Sequence, residues 1–358
     1  MLRTIIYPVI ACTFAILPLI SLSALGQENR TNLSFSDYLM QLKQEASAKG
    51  ISQATLDSAF PQIKRFKKAV ATDNTKSEDA KNLDTFLPQV VPEWKVNTAR
   101  VLFKEHEQVL NHIADKYQVQ PRFLVALWGL VADFGEDAGN YPVLSVTASQ
   151  AFNGERQDFY QKEFMAALSI MDKEQLGFDD LKSNWHGAMG QTQIMPTDYL
   201  AYAQDGDGDG KKDIWGNLSD AFATAANLLN HQGWQGDDTW GRQVQAPADI
   251  DLTLVGLDKR QSLAKWQGLG IRKFDNTDLP NREDINASLI MPDGVKGRKY
   301  LVYSNYRALL HWDNSGWDSS DSDGSGSDNS GRNSADYFGI SVVYLSERIK
   351  HPQQISVK

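Results

Sequence analysis

The chain has 358 residues, of which 41% are hydrophobic and 23% are charged, so it can bury a substantial core and holds one large or two ordinary domains. Its formal net charge of −9 argues against nucleic acid and against an anionic membrane surface as partners. A neutral sugar polymer remains compatible with this charge. Composition therefore predicts a globular protein.

The N-terminus is typical of a secretory signal peptide over residues 1–26. An apolar run from Ile5 to Ile20 is followed by small residues and then by polar Gln27. Ala24 and Gly26 occupy the small positions of a cleavage site. The segment thus predicts a protein that is exported from the cytoplasm.

Cys12 is the only cysteine, and the residues before it loosely resemble a lipoprotein box. The residues after it are mostly apolar, whereas a lipidated terminus is normally polar, so cleavage near Gln27 is favoured over a lipid anchor. The mature chain would then contain no cysteine and no disulfide. No later stretch is long and apolar enough to cross a bilayer.

Residues 27–120 are predicted to form an N-terminal helical region. Apolar residues recur at helical spacing over 35–49 and 51–60, and a longer helix is predicted over 92–117. Residues 65–87 are polar and weakly periodic, which predicts a loop.

The run from 124 to 135, Leu-Val-Ala-Leu-Trp-Gly-Leu-Val-Ala-Asp-Phe-Gly, predicts a buried helix. It opens a core region predicted over 121–243. Pro121 stands where the first helical turn tolerates proline, and Gly135 is a C-terminal signal. The apolar stripe is broad enough to lie inside a domain; its members are Leu124, Leu127, Trp128, Val131 and Phe134.

This run resembles the catalytic helix of the lytic murein transglycosylase B family, lysozyme-like bacterial enzymes that cleave the glycan strand of peptidoglycan. The family helix reads roughly Ala-Leu-Trp-Gly-Leu-Glu-x-x-Phe-Gly, and its Glu is the general acid/base. In this chain the position of that Glu is Val131. The residues that fix the register are Trp128, Gly129, Leu130, Phe134, Gly135 and the following Gly139-Asn140-Tyr141-Pro142-Val143.

A second motif runs from Gly187 to Pro196 and reads Gly-Ala-Met-Gly-Gln-Thr-Gln-Ile-Met-Pro. Small residues allow close backbone approach, and the amides of Gln191 and Gln193 can present donors and acceptors to sugar hydroxyl and N-acetyl groups. From spacing alone, a tight turn with surface glutamines is favoured. The run nevertheless resembles the glycan-binding floor of the family nearly residue for residue.

The resemblance implies substrate contacts for further residues. They are Trp128, Asn184, Trp185, Trp312, Asn314 and Tyr337. Two stretches depart from the family: Asn184-Trp185-His186-Gly187 replaces Ser-Trp-Ala-Gly, and His311-Trp312-Asp313-Asn314-Ser315 replaces Arg-Tyr-Asn-Asn-Ser. The cleft is therefore substituted at several positions.

The loop Asp205-Gly-Asp-Gly-Asp-Gly-Lys-Lys-Asp213 is typical of an EF-hand-like calcium site. Asp205, Asp207 and Asp209 supply carboxylates, and Lys211 would contribute its carbonyl. The twelfth loop position is glycine instead of glutamate. The resemblance implies that Asp220 closes the site. A merely solvated acidic turn is the alternative, and the predicted role of calcium is structural.

The remainder is predicted to hold a small β-containing region over 244–310, with strands near 252–255, 288–291 and 300–303. The cleft motif over 311–315 follows. Residues 316–334 are almost entirely Ser, Asp, Gly and Asn, which indicates a flexible insertion. A helix is predicted over 335–358.

The resemblance implies a mainly α fold: a lysozyme-like helical core with a small β-containing subdomain and a calcium loop. In the family, the Glu protonates the glycosidic oxygen and then helps the C6 hydroxyl of the muramic acid attack its own anomeric carbon, forming a 1,6-anhydro sugar. Burial raises the pKa of such an acid towards the working pH. Val131 has no proton to give.

Three hypotheses follow. The first is a degenerate transglycosylase that binds MurNAc-GlcNAc strands with lost or strongly reduced activity, as a scaffold or regulator of other cell-wall enzymes. The second is an active enzyme that uses a substitute carboxylate, for which Asp133, Glu136 and Glu155 are candidates. The third is a structural envelope domain that has lost its cleft.

Overall fold

The computed structural model describes residues 33–66, 82–153, 156–315 and 334–351. The predicted signal peptide, Glu155 and residues 316–333 of the predicted insertion lie outside these ranges, as does the side chain of Asn314.

Helices dominate the described part. In chain order they are α1 (Phe35–Ala48), α2 (Gln53–Ala59), α3 (Leu83–Val90), α4 (Glu93–Glu105), α5 (Glu107–Tyr117), α6 (Pro121–Val131), α7 (Val143–Asn153), α8 (Gln157–Lys173), α9 (Pro196–Tyr202), α10 (Leu218–His231), α11 (Leu263–Gly268), α12 (Ser304–Leu309) and α13 (Ser334–Lys350). The predicted helices at 35–49 and 51–60 are present with nearly the expected bounds. The helix predicted through Phe134 begins at Pro121 but ends at Val131, because Asp133 and Phe134 have left-handed backbone. Ser52 caps α2 by accepting a hydrogen bond from the amide of Thr55 at 3.2 Å.

Two predictions in the N-terminal region were wrong. The predicted loop at 65–87 contains the start of α3, because Asn82 and Thr85 form a capping box and Leu83 and Leu87 bury their side chains. The predicted single helix at 92–117 is broken at His106, whose φ and ψ of −97° and 15° are not helical. The break lets α4 pack on α6 and α13 while α5 packs on α10.

The strands form two antiparallel sheets. A small pair joins β1 (Tyr141–Pro142) to β2 (Lys182–Ser183). Five strands, in the order β4-β6-β7-β3-β5, form the second sheet; they are β3 (Gly241–Gln245), β4 (Arg260–Ser262), β5 (Arg272–Lys273), β6 (Asn286–Ile290) and β7 (Lys299–Val302). The predicted strand at 252–255 was wrong. Leu252–Leu254 is a 3-10 helix, because the Asp251 carboxylate accepts from the amide and hydroxyl of Thr253.

Helix α6 lies in the main core. Its residues from Phe123 to Leu130 are all buried, and α4 and α13 pack against it. The five-stranded sheet has a second, smaller core that includes Val244, Trp266 and Leu301. Across the described ranges, the longest apolar helices fall short of what a bilayer crossing requires.

Candidate functional site

Helix α6 ends at Val131 because the backbone turns sharply there. Ala132 leaves helical geometry, and Asp133, Phe134 and Gly135 have φ values of 46°, 58° and 94°. Left-handed backbone costs roughly 1–2 kcal/mol at a non-glycine residue, so two such residues in sequence must be held by their surroundings. The ring of Phe134 provides one hold.

Phe134 folds back over the end of α6. A Cβ atom at Gly129 would lie 2.5 Å from its ring, so only glycine at 129 permits the contact. The ring also meets Trp128 edge to face at 5.6 Å between centroids. The glycine and the phenylalanine of the motif therefore fix the turn that follows Val131.

Lys95 of α4 binds the same turn. Its Nζ donates a hydrogen bond to the carbonyl of Gly129 at 2.9 Å. Because the helix ends at Val131, this carbonyl lies in the last turn, where carbonyls have no amide partner within the helix. The same Nζ forms an ion pair with Asp133 at 3.2 Å. The Lys95 side chain is only 12% exposed. The carboxylate of Asp133 is thus held by an ammonium group, and Val131 itself is partly buried against the core.

Trp128 and Gln191 form a hydrogen-bonded chain across the site. The indole Nε1 of Trp128 donates to Gln191 Oε1 at 2.9 Å, and Gln191 Nε2 donates to the carbonyl of Trp215 at 2.9 Å. Trp128 is 3% exposed, whereas Gln191 is half-buried. The side chain of Gln191 is therefore fixed in place and still reaches the surface.

Gln193 of the second motif is buried and has left-handed backbone, with a φ of 52°. Its Nε2 donates to the carbonyls of Gly190 at 2.8 Å and Ala138 at 3.1 Å. Its buried Oε1 has no hydrogen-bond partner among the described residues. An unpaired buried acceptor costs about 1–3 kcal/mol, so this oxygen would gain from a donor.

Asn184 shapes the turn before the second motif. Its Oδ1 accepts hydrogen bonds from the amides of His186 at 2.8 Å and Ala188 at 3.1 Å. Trp185 is half-buried, and its ring lies 4.6 Å from that of His186. The substituted Asn184 thus takes a local structural role while Trp185 remains accessible.

The residues around 311 pack onto the same floor. Trp312 is buried and donates from Nε1 to the carbonyl of Thr192 at 2.8 Å. His311 Nε2 lies 2.9 Å from the carboxylate of Asp198. These contacts attach the 3-10 turn that follows α12 to the second motif, through Thr192, and to α9, through Asp198.

Tyr337 of α13 is also buried. Its hydroxyl donates to Asp293, whose carboxylate accepts the amide of Leu83 as well. The ring contacts Phe86 edge to face at 4.9 Å. Asp293 therefore connects the small β-containing region to α3 and α13.

Exposure divides the predicted substrate residues into two groups. Those that are partly exposed are Asn184, Trp185 and Gln191. Those that are buried are Trp128, Gln193, Trp312 and Tyr337. The sequence analysis missed Lys95, Trp215 and Asp293, because each comes from a segment distant in sequence and carries no motif of its own.

The carboxylates of Asp205, Asp207 and Asp209 converge. One oxygen from each lies within 4.8 Å of the others, a spacing compatible with one hard cation. The Asp205 carboxylate also accepts the amides of Gly208 at 2.6 Å and Gly210 at 2.8 Å, which closes the loop.

Asp220 lies at the other side of this loop and is fully buried. Its two oxygens accept the amides of Gly206 and Asp213, both at 2.7 Å. Burial raises the pKa of this carboxyl above its ordinary value. Asp220 is not among the three converging carboxylates, so its role as a ligand stays a prediction.

Comparison with known proteins identifies the family to which this architecture belongs. Residues 34–317 match the model of the Transglycosylase SLT domain family. SltB3 from Pseudomonas aeruginosa, solved in complex with NAG-anhNAM-pentapeptide, is 32% identical with a TM-score of 0.77 over 88% of this chain and 80% of that one. Escherichia coli Slt35, solved in complex with calcium, shares the fold at 21% identity, with a TM-score of 0.70 over 88% and 93% of the two chains.

The fold is that of the lysozyme-like lytic transglycosylases. Over 193 residues the chain is 31% identical to membrane-bound lytic murein transglycosylase B of Escherichia coli K12, and it spans about half the length of that curated relative. The chain belongs to the transglycosylase SLT family.

Proposed function

We propose that this protein binds the MurNAc-GlcNAc strands of peptidoglycan in the periplasm and cleaves them weakly or not at all. The observation that carries the proposal is the alkyl side chain of Val131 at the end of α6. In the family that the sequence resembles, the residue at this position supplies the carboxyl of the general acid/base.

Neither described substitute carboxylate is suited to replace it. Asp133 lies beyond the end of α6 and faces the ammonium of Lys95 at 3.2 Å. Glu136 is exposed beyond the left-handed turn. A general acid must lie within hydrogen-bond reach of the atom it protonates, and a small displacement loses much of its effect.

Glycan binding is supported by the groups that remain. Gln191 is held by Trp128 and Trp215 with its side chain half-buried, and Trp185 offers an accessible aromatic ring. A protein that binds strands without cutting them would suit a role as a scaffold or regulator of other cell-wall enzymes.

We expect the purified protein to sediment with murein sacculi and to release no 1,6-anhydromuropeptides, as measured by mass spectrometry of the soluble fraction. Gln191→Ala should weaken sedimentation, because it removes the amide held at the surface. Asp237→Asn, at an exposed position away from the motifs, is the control. Absence of sedimentation by the unaltered protein would contradict glycan binding and favour the structural-domain hypothesis.

The acidic loop is proposed to hold one structural calcium ion through Asp205, Asp207 and Asp209, with the Lys211 carbonyl and Asp220 as further predicted ligands. The residues fit the ion, since one oxygen from each of the three carboxylates lies within 4.8 Å of the others. Bound calcium would join the loop to the start of α10.

Calcium should therefore raise the melting temperature of the chelator-treated protein, because a ligand at a hundredfold excess over its Kd stabilises the folded state by about 2.7 kcal/mol. Asp209→Asn should abolish the shift while keeping an oxygen for the amide of Lys211. Magnesium at the same concentration is the control ion. An unchanged melting temperature in millimolar calcium would exclude a functional site.

A further inference from the structure

Trp94, in the first turn of α4, presents an aromatic side chain to solvent. The side chain is 55% exposed, and no other tryptophan among the described residues is as exposed. A single exposed apolar residue is ordinary on a protein surface. Trp94 differs from the other exposed apolar residues because it lies beside the turn that follows Val131.

The ammonium group of Lys95 connects Trp94 to that turn. Lys95 Nζ lies over the Trp94 ring, 5.5 Å from the ring centroid. The same atom donates to the carbonyl of Gly129 at 2.9 Å and lies 3.2 Å from the carboxylate of Asp133. Because the Lys95 side chain is only 12% exposed, these contacts hold the ammonium in one place. The Trp94 ring and the Asp133 carboxylate therefore lie close to one fixed group at the end of α6.

Asp133 brings a hydrogen-bond acceptor to the same place. Its side chain is 42% exposed, although Oδ1, the oxygen that faces Lys95, is buried. The oxygen that a ligand can reach is therefore Oδ2. An ionised carboxylate only accepts hydrogen bonds, and those that it accepts from hydroxyl groups are short and strong. Because the charges of Lys95 and Asp133 balance, this place favours a neutral ligand with hydroxyl groups over an anion or a cation.

We propose that Trp94 and Asp133 form a subsite for one sugar residue of the glycan strand, an inference that rests on the proposed function. A pyranose ring has faces made of C–H groups and a rim that carries hydroxyl groups. The C–H hydrogens are attracted to the negative face of an aromatic ring, which Trp94 supplies. A hydroxyl group on the rim donates to Asp133 Oδ2. Asp133 thus binds the strand through its ionised carboxylate instead of giving a proton to it.

The test measures the affinity of the full chain for soluble glycan strands from which an amidase has removed the peptides, by isothermal titration calorimetry. Trp94→Ala should weaken binding about tenfold, which corresponds to about 1.4 kcal/mol. Trp94→Phe keeps an aromatic face and should keep most of the affinity. Phe274→Ala is the matched control, because it removes an aromatic side chain that is 61% exposed in the small β-containing region, and it should leave the affinity unchanged.

Asp133→Asn tests the carboxylate. Asparagine tolerates the left-handed backbone at this position, where φ is 46°, and it keeps one oxygen that can accept a hydrogen bond. A neutral acceptor bonds a hydroxyl group less strongly than an ionised one, so binding should weaken about fivefold. The melting temperature of each variant shows whether the chain remains folded.

Chemical oxidation distinguishes direct contact with the sugar from an effect that Lys95 transmits to the turn. N-bromosuccinimide oxidises accessible tryptophan side chains, and peptide mass spectrometry identifies each oxidised residue. We expect saturating glycan strands to slow the oxidation of Trp94 in the unaltered protein. Equal oxidation of Trp94 with and without strands, or full affinity in Trp94→Ala, would overturn the subsite alone. Failure of the unaltered protein to bind the strands would instead overturn the proposed function on which the subsite rests.

Discussion

Val131→Glu is expected to convert a protein that releases no 1,6-anhydromuropeptides into one that releases them slowly. The new carboxyl would stand on the last residue of α6, partly buried against the core. Burial disfavours the ionised form and so favours a carboxyl that can donate a proton. General acid/base catalysis typically contributes about 10²- to 10⁴-fold, so the gain should be measurable.

Full family activity is not expected from this change. Asn184 and His311 stand where the family has other residues, and both side chains are hydrogen-bonded within the protein. Asn184 bonds the amides of its own turn, and His311 faces Asp198. Lys95, which binds the Gly129 carbonyl two residues before the new carboxyl, adds a positive charge near it.

Digestion of sacculi followed by mass spectrometry measures the result. Val131→Gln is the matched control, since it has the same length and polarity but no acidic proton. Release by Val131→Glu but not by Val131→Gln would support a glycan-binding cleft that lacks its acid. Clear turnover by the unaltered chain would refute the degenerate-enzyme proposal and direct attention to Asp133, Glu136 and Glu155.

Local sequence signals predicted the helices that carry the site. Pro121 and the stripe from Leu124 predicted the start and the buried face of α6, but the helix ends at Val131, before Phe134 and Gly135. The antiparallel strands near 288 and 300 were predicted from short apolar runs that Gly, Pro and Asn separate. The break at His106 was not predictable in this way, because it arises from the different partners of α4 and α5.

The structure gave several predicted site residues roles that a sequence could not supply. The hydrogen bond between Trp128 and Gln191 joins residues that are 63 positions apart, so no periodic pattern in the sequence could predict it. The same holds for Lys95, whose spacing in α4 gives no sign that it caps α6. Motif resemblance located the floor of the site, but only the packing separates its supporting residues from its accessible ones.

Trp128→Ala should destabilise the protein strongly, by about 3–5 kcal/mol. The side chain is 3% exposed and meets Phe134 at 5.6 Å and Phe222 at 5.3 Å, edge to face in both cases. Its removal would leave a cavity and deprive Gln191 of its donor. Trp128→Phe should cost less, about 1–3 kcal/mol, because it keeps an aromatic ring and loses mainly the N–H.

The milder variant distinguishes a supporting role from direct stacking on the sugar. If Trp128 acts by holding Gln191, then Trp128→Phe and Gln191→Ala should weaken sedimentation with sacculi to a similar degree, and the double variant should add little further loss. Denaturant unfolding gives the stability of each variant. Trp94→Phe is the control, since Trp94 is 55% exposed and should change stability by less than about 0.5 kcal/mol. Additive losses in the double variant would contradict the supporting role, because two residues that act through one hydrogen bond cannot contribute independently.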